Sequence, residues 1–423
     1  MTETDGPIGG SEGYSRIVTA DDADVVCESK SELNDALLNA STGDVVFVAD
    51  DAAIDDMGKS EFTVPKGVTL ASDRGHDGSK GALLKTEKHP WAMLEAGDNV
   101  RITGFRVAGP RWNWVDETET TELGIDAQGS TGVEVDNCSL SGWGYAGVRT
   151  GDDTRVRYCD IHHCSRMGHG YGVATEGSEY PIIEYNRIWH VRHAVQGNGG
   201  GYEIRYNVVD APAISHVFDQ HRPGGTRMKI HHNTVRVVEN AGGRSGGGRV
   251  PAVAIRGTPS EKAEIYLNWF YNDKQPRATP NGWTDEAVIQ VHVDEWDCVE
   301  VRDNHYGEAE PDGEYGARDP TAASDPEEDQ SDSGVSGGSG DGEQETHKLD
   351  LSFATTCEYG FVAEDEVSIS PASSTVEEDD GTWYVYGRAQ HGWSATYMFM
   401  GELRRLHVPD DTEVLLDGEP YEP

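Results

Sequence analysis

Histidine and arginine side chains that could act on an anionic ligand are concentrated between Tyr185 and Gly257. This stretch holds ten Lys or Arg and six His residues against four Asp or Glu residues, in a chain whose formal net charge is -42. Imidazole can take or give a proton near neutral pH, and guanidinium can hold a carboxylate through two contacts. A basic stretch in so acidic a protein therefore predicts a site for an anionic ligand.

The direction in which each side chain points is predicted from short apolar runs such as Ala194-Val-Gln-Gly-Asn and His216-Val-Phe-Asp-Gln. If Val217 points inward, the residue before it and those one and three after it point outward. Successive runs then put Gly, Gly, Gly, Ala, His216, Ala and Ala in one column, which predicts a shallow trough where His216 stands alone. The other wall of that trough contains Glu176, Asn198, Gln220 and Arg256.

The chemistry that fits is recognition or eliminative cleavage of an acidic polysaccharide or cell-surface glycan. Elimination needs a neutralised carboxylate, a base at the adjacent carbon and a proton for the leaving oxygen. His216 is the candidate base, with Arg256 and Arg222 as carboxylate clamps. Further ligand contacts are expected from five polar or charged residues, which are Glu176, Arg192, Gln196, Asn198 and Gln220.

Interpretations in which these residues have no role in elimination stay open. A lone His on a strand is often a satisfied surface or core residue. Asp219 and His193 share the inward phase of Val217 and Val195, so they are expected to orient neighbours rather than to meet ligand. Glycoside hydrolysis is the weaker reading, because no pair of outward carboxylates is evident. The six Cys residues lack metal-ligand spacing, so no metal site is predicted.

A repeat of Ile or Val, two residues, then Asn or Cys predicts a solenoid. Its Asn side chains are expected to hydrogen-bond along the axis. Cys138 and Cys159 are predicted to be buried thiols in that row, with a disulfide as the alternative. A stacked tyrosine row is predicted beside it. The repeat pairs are Ile102/Phe105, Val135/Cys138, Val156/Cys159, Ile183/Asn186, Ile204/Asn207, Ile230/Asn233, Ile265/Asn268 and Val301/Asn304, and the tyrosines are Tyr158, Tyr185 and Tyr206.

Before the repeat, a short amphipathic helix is predicted from Ser31 as N-cap to Ala40, followed by strands over 44–49, 62–70 and 101–107. The runs Gly67-Val-Thr-Leu-Ala-Ser-Asp-Arg-Gly and Asn99-Val-Arg-Ile-Thr-Gly resemble the opening of pectate-lyase-like right-handed parallel β-helix proteins. The resemblance covers about residues 17–306 and implies an all-β solenoid with an N-terminal capping helix.

Pectate lyases of that family use calcium held by acidic residues and an arginine base. Here the trough offers mainly Glu176, so Ca²⁺ is retained only as a possible cofactor and an arginine-clamped reaction is favoured. The run from Ser215 to His221, with Val250 to Gly257, resembles lyase-like proteins of halophilic archaea. A composition of 76 acidic residues and a mean hydropathy of -0.62 also suits a halophile.

Four segments are predicted: an N-terminal tail (1–16), the β-helix (17–307), an acidic Gly/Ser linker (308–346) and a C-terminal antiparallel β-sandwich (347–423). The linker holds thirteen acidic residues against Arg318 alone. In the sandwich, alternating runs indicate about six short strands. Trp383 and Trp393 are expected either to stack on sugars or to pack in its core.

No run approaches the roughly 20 apolar residues of a membrane span, and residues 1–16 show no export signal. Extracellular or virion-associated placement is favoured. A second function class is therefore a non-catalytic glycan-binding tail fibre or spike of a haloarchaeal virus, which would be a trimer. A nucleic-acid partner is excluded, because the acidic surface repels phosphate.

Overall fold

A computed structural model divides the chain into two compact units, Met1–Asp325 and Pro326–Pro423. In the first unit the structure describes residues 5–49, 52–54, 62–110, 122–164, 166, 168–210, 213, 216–238, 251–273, 288–292 and 297–317. In the second it describes 346–352, 357–363, 367–370, 374–379, 382–389, 394–400, 403–407, 413–416 and 419–420.

The first unit is a parallel β-helix, as the sequence predicted. Each coil between the first and the last contributes one strand to each of three sheets, and every pairing within these sheets is parallel. Apolar side chains at matching positions of successive coils form one continuous buried core. The spacing of the Ile or Val positions predicted these coils, because each coil must bury the same inward position on its neighbour.

Sheet 1 contains, in spatial order, Val25–Cys27, Val45–Val48, Thr69–Ala71, Arg101–Thr103, Glu134–Asp136, Arg155–Arg157, Glu179–Glu184, Gly201–Arg205, Met228–His231, Ala263–Tyr266 and Val299–Arg302. Sheet 2 contains Phe62–Val64, Ala92–Ala96, Leu123–Asp126, Ala146–Arg149, Tyr171–Glu176, His193–Asn198, Phe218–His221, Val253–Arg256 and Ile289–His292. Sheet 3 contains Ala53–Ile54, Leu83–Lys85, Arg106–Ala108, Ser139–Ser141, Asp160–Cys164, Arg187–Val191, Val208–Val209, Thr234–Val235, Trp269–Phe270 and His305–Tyr306.

A helix at Lys30–Asn39 packs on the first coils, and a 3₁₀ helix at Ala20–Asp22 precedes it. The N-cap of the Lys30–Asn39 helix is Ser29 and not the predicted Ser31. The Ser29 hydroxyl accepts from the Glu32 backbone at 3.3 Å, and the Glu32 carboxylate accepts from the Glu28 backbone at 2.9 Å. The glutamate three residues after Ser29 therefore decides between the two serines. Leu33 and Leu37 are buried and cover the open end of the solenoid.

The predicted Asn row is confirmed. Asn186, Asn207, Asn233 and Asn268 are fully buried, and each donates from Nδ2 to the Oδ1 of the next Asn in the row at 2.9–3.0 Å. This row satisfies amides that a single coil would leave unpaired. Cys138 and Cys159 are buried free thiols at the preceding coils, as expected.

The tyrosine row is also confirmed. Tyr158 stacks on Tyr185 with ring centroids 4.9 Å apart, and Tyr185 stacks on Tyr206 at 5.0 Å.

Residues 5–16 lie against sheet 1, where buried Tyr14 donates its hydroxyl to Asp136 at 2.7 Å. The boundaries of the tail, the β-helix and the linker stay predictions, and residues 318–345 of the linker lie outside the described residues.

The second unit contains two antiparallel sheets, which agrees with the predicted antiparallel class. One holds Val367–Ser370, Ser394–Met400, Thr346–Ser352, Glu413–Leu416 and Glu419–Pro420. The other holds Ser374–Asp379, Thr382–Ala389, Cys357–Ala363 and Leu403–His407. The sandwich arrangement stays a prediction. Trp393 lies outside the described residues, and the choice of sugar or core for Trp383 stays open.

Candidate functional site

The strand Phe218–His221 joins sheet 2 one residue out of the predicted register. Phe218, and not Val217, pairs with Val195 and with Val253 on the neighbouring strands. A shift of one residue exchanges the two faces of a strand. Asp219 therefore lies on the outward face and Gln220 on the inward face, which reverses the prediction. Val217 and Phe218 are both apolar and fully buried, so alternation alone could not choose between them.

The predicted trough of small residues is also wrong, because the Gly and Ala residues of that column that the structure describes face the core. A Cβ at Gly147 would lie 3.0 Å from Ile161 Cγ2, and one at Gly172 would lie 3.0 Å from Ile188 Cγ2. Glycine lets the strands approach the core side chains closely here. His216 leaves this column and stacks on His193 instead, with ring centroids 5.5 Å apart.

Asp219 is the centre of the site that replaces the trough. Its side chain is fully buried, and its Oδ2 lies 3.0 Å from His221 Nε2 and 3.5 Å from His216 Nδ1. Arg256 donates from Nε to Oδ1 at 3.1 Å and from Nη2 to Oδ2. His193 Nε2 lies 3.3 Å from the same Oδ2. The structure therefore brings predicted residues His216 and Arg256 together through a carboxylate that was predicted to face inward.

The charge on Asp219 determines which ring nitrogen of His221 carries a hydrogen. Burial raises the pKa of the Asp219 carboxyl, but the hydrogen bonds from His216 and His221 outweigh it and leave the pKa well below the usual range. An ionised carboxylate only accepts hydrogen bonds, so His221 presents Nε2–H to it, and the neutral form of His221 has its lone pair on Nδ1. Burial holds the pKa of His193 well below its usual range. Its Nδ1 donates to the His216 carbonyl at 2.5 Å.

Exposure separates these groups into buried and accessible ones. The side chains of Arg256 and His221 are 32% and 29% exposed, whereas that of His216 is 10% exposed and those of Asp219 and His193 are buried. Arg256 and His221 therefore form the accessible surface of the centre. Asp219 and His193 support it from below.

The other predicted residues are distributed around this centre. Arg222 is exposed directly after His221, and Arg192 is half-buried with its guanidinium 5.9 Å from the Tyr171 ring centroid. Asn198 is exposed and pairs with His221 across the sheet. The remaining three are less accessible: Gln196 and Gln220, which are buried, and Glu176, which is half-buried. Both Gln side chains donate to nearby backbone carbonyls at 3.1 Å.

A second charged cluster lies on the same face of sheet 2. Arg149 donates from Nε to Asp126 Oδ1 at 2.9 Å and lies 3.8 Å from Glu176 through Nη1. Glu176 also accepts from the Tyr145 hydroxyl, and burial followed by this hydrogen bond raises the pKa of Tyr145. These carboxylates are bound to an arginine and a tyrosine. They do not form the oxygen cage that Ca²⁺ requires.

Within the described ranges, one cluster has the spacing of metal ligands: His193, Asp219 and His221, whose ligand atoms lie within 4.8 Å of one another. Two imidazoles and a carboxylate would suit Zn²⁺ better than Ca²⁺. Arg256 already contacts both oxygens of Asp219. A metal ion would have to displace part of this ion pair, so the arrangement favours the arginine-paired carboxylate.

The sequence prediction missed Asp219 and His221 as outward residues. A signal was present, since Asp219 and His221 are two residues apart and must share a face of any strand. Placing the larger apolar residue, Phe218, in the core would have turned both outward. Asp126 and Arg149 each directly follow an inward Ile or Val, so the same alternation predicts that they face outward, but it does not predict that they pair.

Residues 94–252 match the family model described as right handed beta helix region. That match makes the confirmed solenoid a right-handed one, the usual hand for parallel crossovers. Among curated proteins, no sequence matches the chain. In the described residues, no helix is both long and apolar enough to cross a membrane.

Three solved structures are similar in fold. An alginate lyase from Paenibacillus sp. str. FPU-7 is 15% identical, with 68% of this chain and 100% of that chain covered and a TM-score of 0.35. The Agl-KA catalytic domain is 10% identical, with 66% and 64% covered and a TM-score of 0.34. The tailspike protein gp49 of Acinetobacter baumannii bacteriophage Fri1, a capsular polysaccharide depolymerase, is 7% identical, with 91% and 86% covered and a TM-score of 0.35. At this level of similarity no residue role is carried over.

Proposed function

We propose that this protein binds an acidic polysaccharide on the outward face of sheet 2 and cleaves it by β-elimination at Asp219. The observation that carries the proposal is the buried, ionised Asp219 carboxylate, contacted by the imidazoles of His193, His216 and His221 and by the Arg256 guanidinium. Such a carboxylate fixes the ring orientation and tautomer of its imidazoles, which an acid–base pair requires.

The charge around this centre suits a uronate ligand. Arg192, Arg222 and Arg256 lie beside or on the site, and of the described carboxylates only that of Asp219 contacts this centre. Arg256 uses Nε and Nη2 for Asp219, and within the described part of the chain its Nη1 is left for a ligand. Neutralising the uronate carboxylate makes the hydrogen on its adjacent carbon more acidic, and this is the largest demand of the reaction.

The imidazoles of His221 and His216 each carry out one of the two proton transfers. His221 is the more exposed, and its Nδ1 takes the proton from the carbon next to the carboxylate. The electron pair of that C–H bond forms a carbon–carbon double bond while the bond to the glycosidic oxygen breaks. His216 enters this step as the imidazolium, with Nδ1 on Asp219, gives its Nε2 proton to the leaving oxygen and is left neutral. The predicted base thus becomes the acid, because the register places His221 at the surface.

The test is an incubation of the full chain in molar salt with polygalacturonate and with alginate, followed by the ultraviolet absorbance of the unsaturated product. We expect cleavage of at least one polymer, and a loss of about 100-fold or more in turnover for H221Q and for H216Q. His76, exposed and outside sheet 2, provides the matched control H76Q with unchanged turnover.

Binding without cleavage in the wild type would refute the lyase and favour a glycan-binding fibre or spike, for which a trimer is expected. In either case we propose that the protein works at high salt, outside the cell or on a virion. Absence of both binding and cleavage for every acidic polymer would refute the polysaccharide proposal itself.

A further inference from the structure

Trp91 presents an exposed ring that is fixed in place. It immediately precedes the Ala92–Ala96 strand of sheet 2, and 47% of its surface is exposed. Its Nε1 donates to Asp126 Oδ2 at 3.3 Å, and the Arg149 guanidinium carbon lies 5.0 Å from the ring centroid. Asp126 and Arg149 are themselves buried, so they hold the indole while part of it meets solvent.

The chemistry around Trp91 differs from that around Asp219. Arg149 is paired with Asp126 at 2.5 Å and lies 3.8 Å from Glu176, so two carboxylates face one guanidinium. Among the residues that the structure describes, this part of the sheet therefore offers no excess positive charge to a uronate. The group left for a ligand is the face of the Trp91 indole ring, which can pack against an apolar surface such as the C–H face of a pyranose ring.

The two places lie on one outward row. Asp126 pairs with Arg149, Arg149 with Ala174, Ala174 with Gln196, and Gln196 with Asp219 on successive strands. Four strand spacings correspond to about 19 Å. A polysaccharide chain lying across the strands would pass both, whereas a disaccharide at Asp219 would not reach Trp91.

We propose that Trp91 is a remote subsite that binds a sugar ring of the same polysaccharide by stacking, independently of the ligand's charge. The inference rests on the proposed function, because it takes the Asp219 centre as the place of the uronate. It adds that the ligand is a polymer and that part of its affinity comes from an uncharged contact.

The experiment measures the dissociation constant of the full chain for the polymer that the wild type binds, polygalacturonate or alginate, and for the corresponding disaccharide. W91A is expected to weaken polymer binding about tenfold and W91F to restore most of it. Disaccharide binding should not change. Tyr180 on sheet 1 is an exposed aromatic with the Arg227 guanidinium 6.0 Å from its ring, so Y180A is the matched control with unchanged affinity.

Salt separates stacking from charge. The ratio of W91A to wild-type dissociation constants should be the same in low and high salt, because stacking is not screened. Equal polymer affinities for W91A and wild type would overturn the subsite, as would an equal loss for the disaccharide or a loss that vanishes in high salt. A wild type that binds no acidic polymer refutes the proposed function, and the Trp91 subsite with it.

Discussion

Replacing Asn207 by Leu tests how much the Asn row contributes to the solenoid. The Asn207 Oδ1 accepts from the Asn186 backbone at 3.0 Å and from Asn186 Nδ2 at 2.9 Å. Its Nδ2 donates to Asn233 Oδ1 and to the Ile183 carbonyl at 2.9–3.0 Å. Leucine would leave at least two buried N–H groups of Asn186 without partners.

Each unsatisfied buried group costs about 1 to 3 kcal/mol, and burying the Leu side chain returns a part of that sum. We expect a net loss of about 2 to 4 kcal/mol, seen as a fall of roughly 3 to 6 °C in the melting temperature of the β-helix unit by calorimetry in molar salt. Asn39, exposed with one hydrogen bond at 2.7 Å, gives the control N39L with little change. A shift for N207L no larger than that of N39L would refute a satisfied, buried Asn row.

Three further predictions concern the solution conditions. With a net charge of -42, the melting temperature should rise from 0.1 M to 3 M salt in calorimetry, and equal values would contradict the halophilic reading. The hydrogen bond from His231 lowers the pKa of Glu203 from 4.5 to about 2, so its stabilisation is present above pH 4.5 and is lost as the pH falls towards 2. The free energies of unfolding of wild type and E203Q should therefore converge over that window, from a difference of about 1 to 2 kcal/mol, and a constant difference would contradict the assignment. Because Arg256 already neutralises Asp219, dialysis against a chelator should leave turnover unchanged, whereas loss of turnover that Zn²⁺ or Ca²⁺ restores would show a metal-dependent reaction.

The sequence was sufficient for the repeat and its interior rows. A coil buries the same positions every time, so Ile204 and Asn207 keep their spacing in one coil after another, and this regularity is visible in one dimension. The helix was predicted for the same reason, from its apolar face. Its N-cap was misplaced by two residues, because Ser29 and Ser31 are chemically equivalent until the Glu32 side chain is considered.

The site was less predictable because it depends on register and on partners from distant strands. One shifted residue at Phe218 turned Asp219 and His221 outward and Gln220 inward. The pairing of Arg256 with Asp219 joins residues 37 positions apart, and alternation within either strand does not indicate it. The local excess of positive charge did identify the region, since charge is a property of composition and not of register.

The most direct test of the central claim is turnover and affinity of D219N on an acidic polymer that the wild type cleaves. Asn keeps the volume of Asp219 but not its charge, so His216 and His221 lose the partner that fixes their tautomers. The account predicts a fall in turnover of about 100-fold or more, a polymer dissociation constant within a few-fold of wild type, and a folded protein by circular dichroism. A folded D219N that forms unsaturated product at the wild-type rate would contradict it.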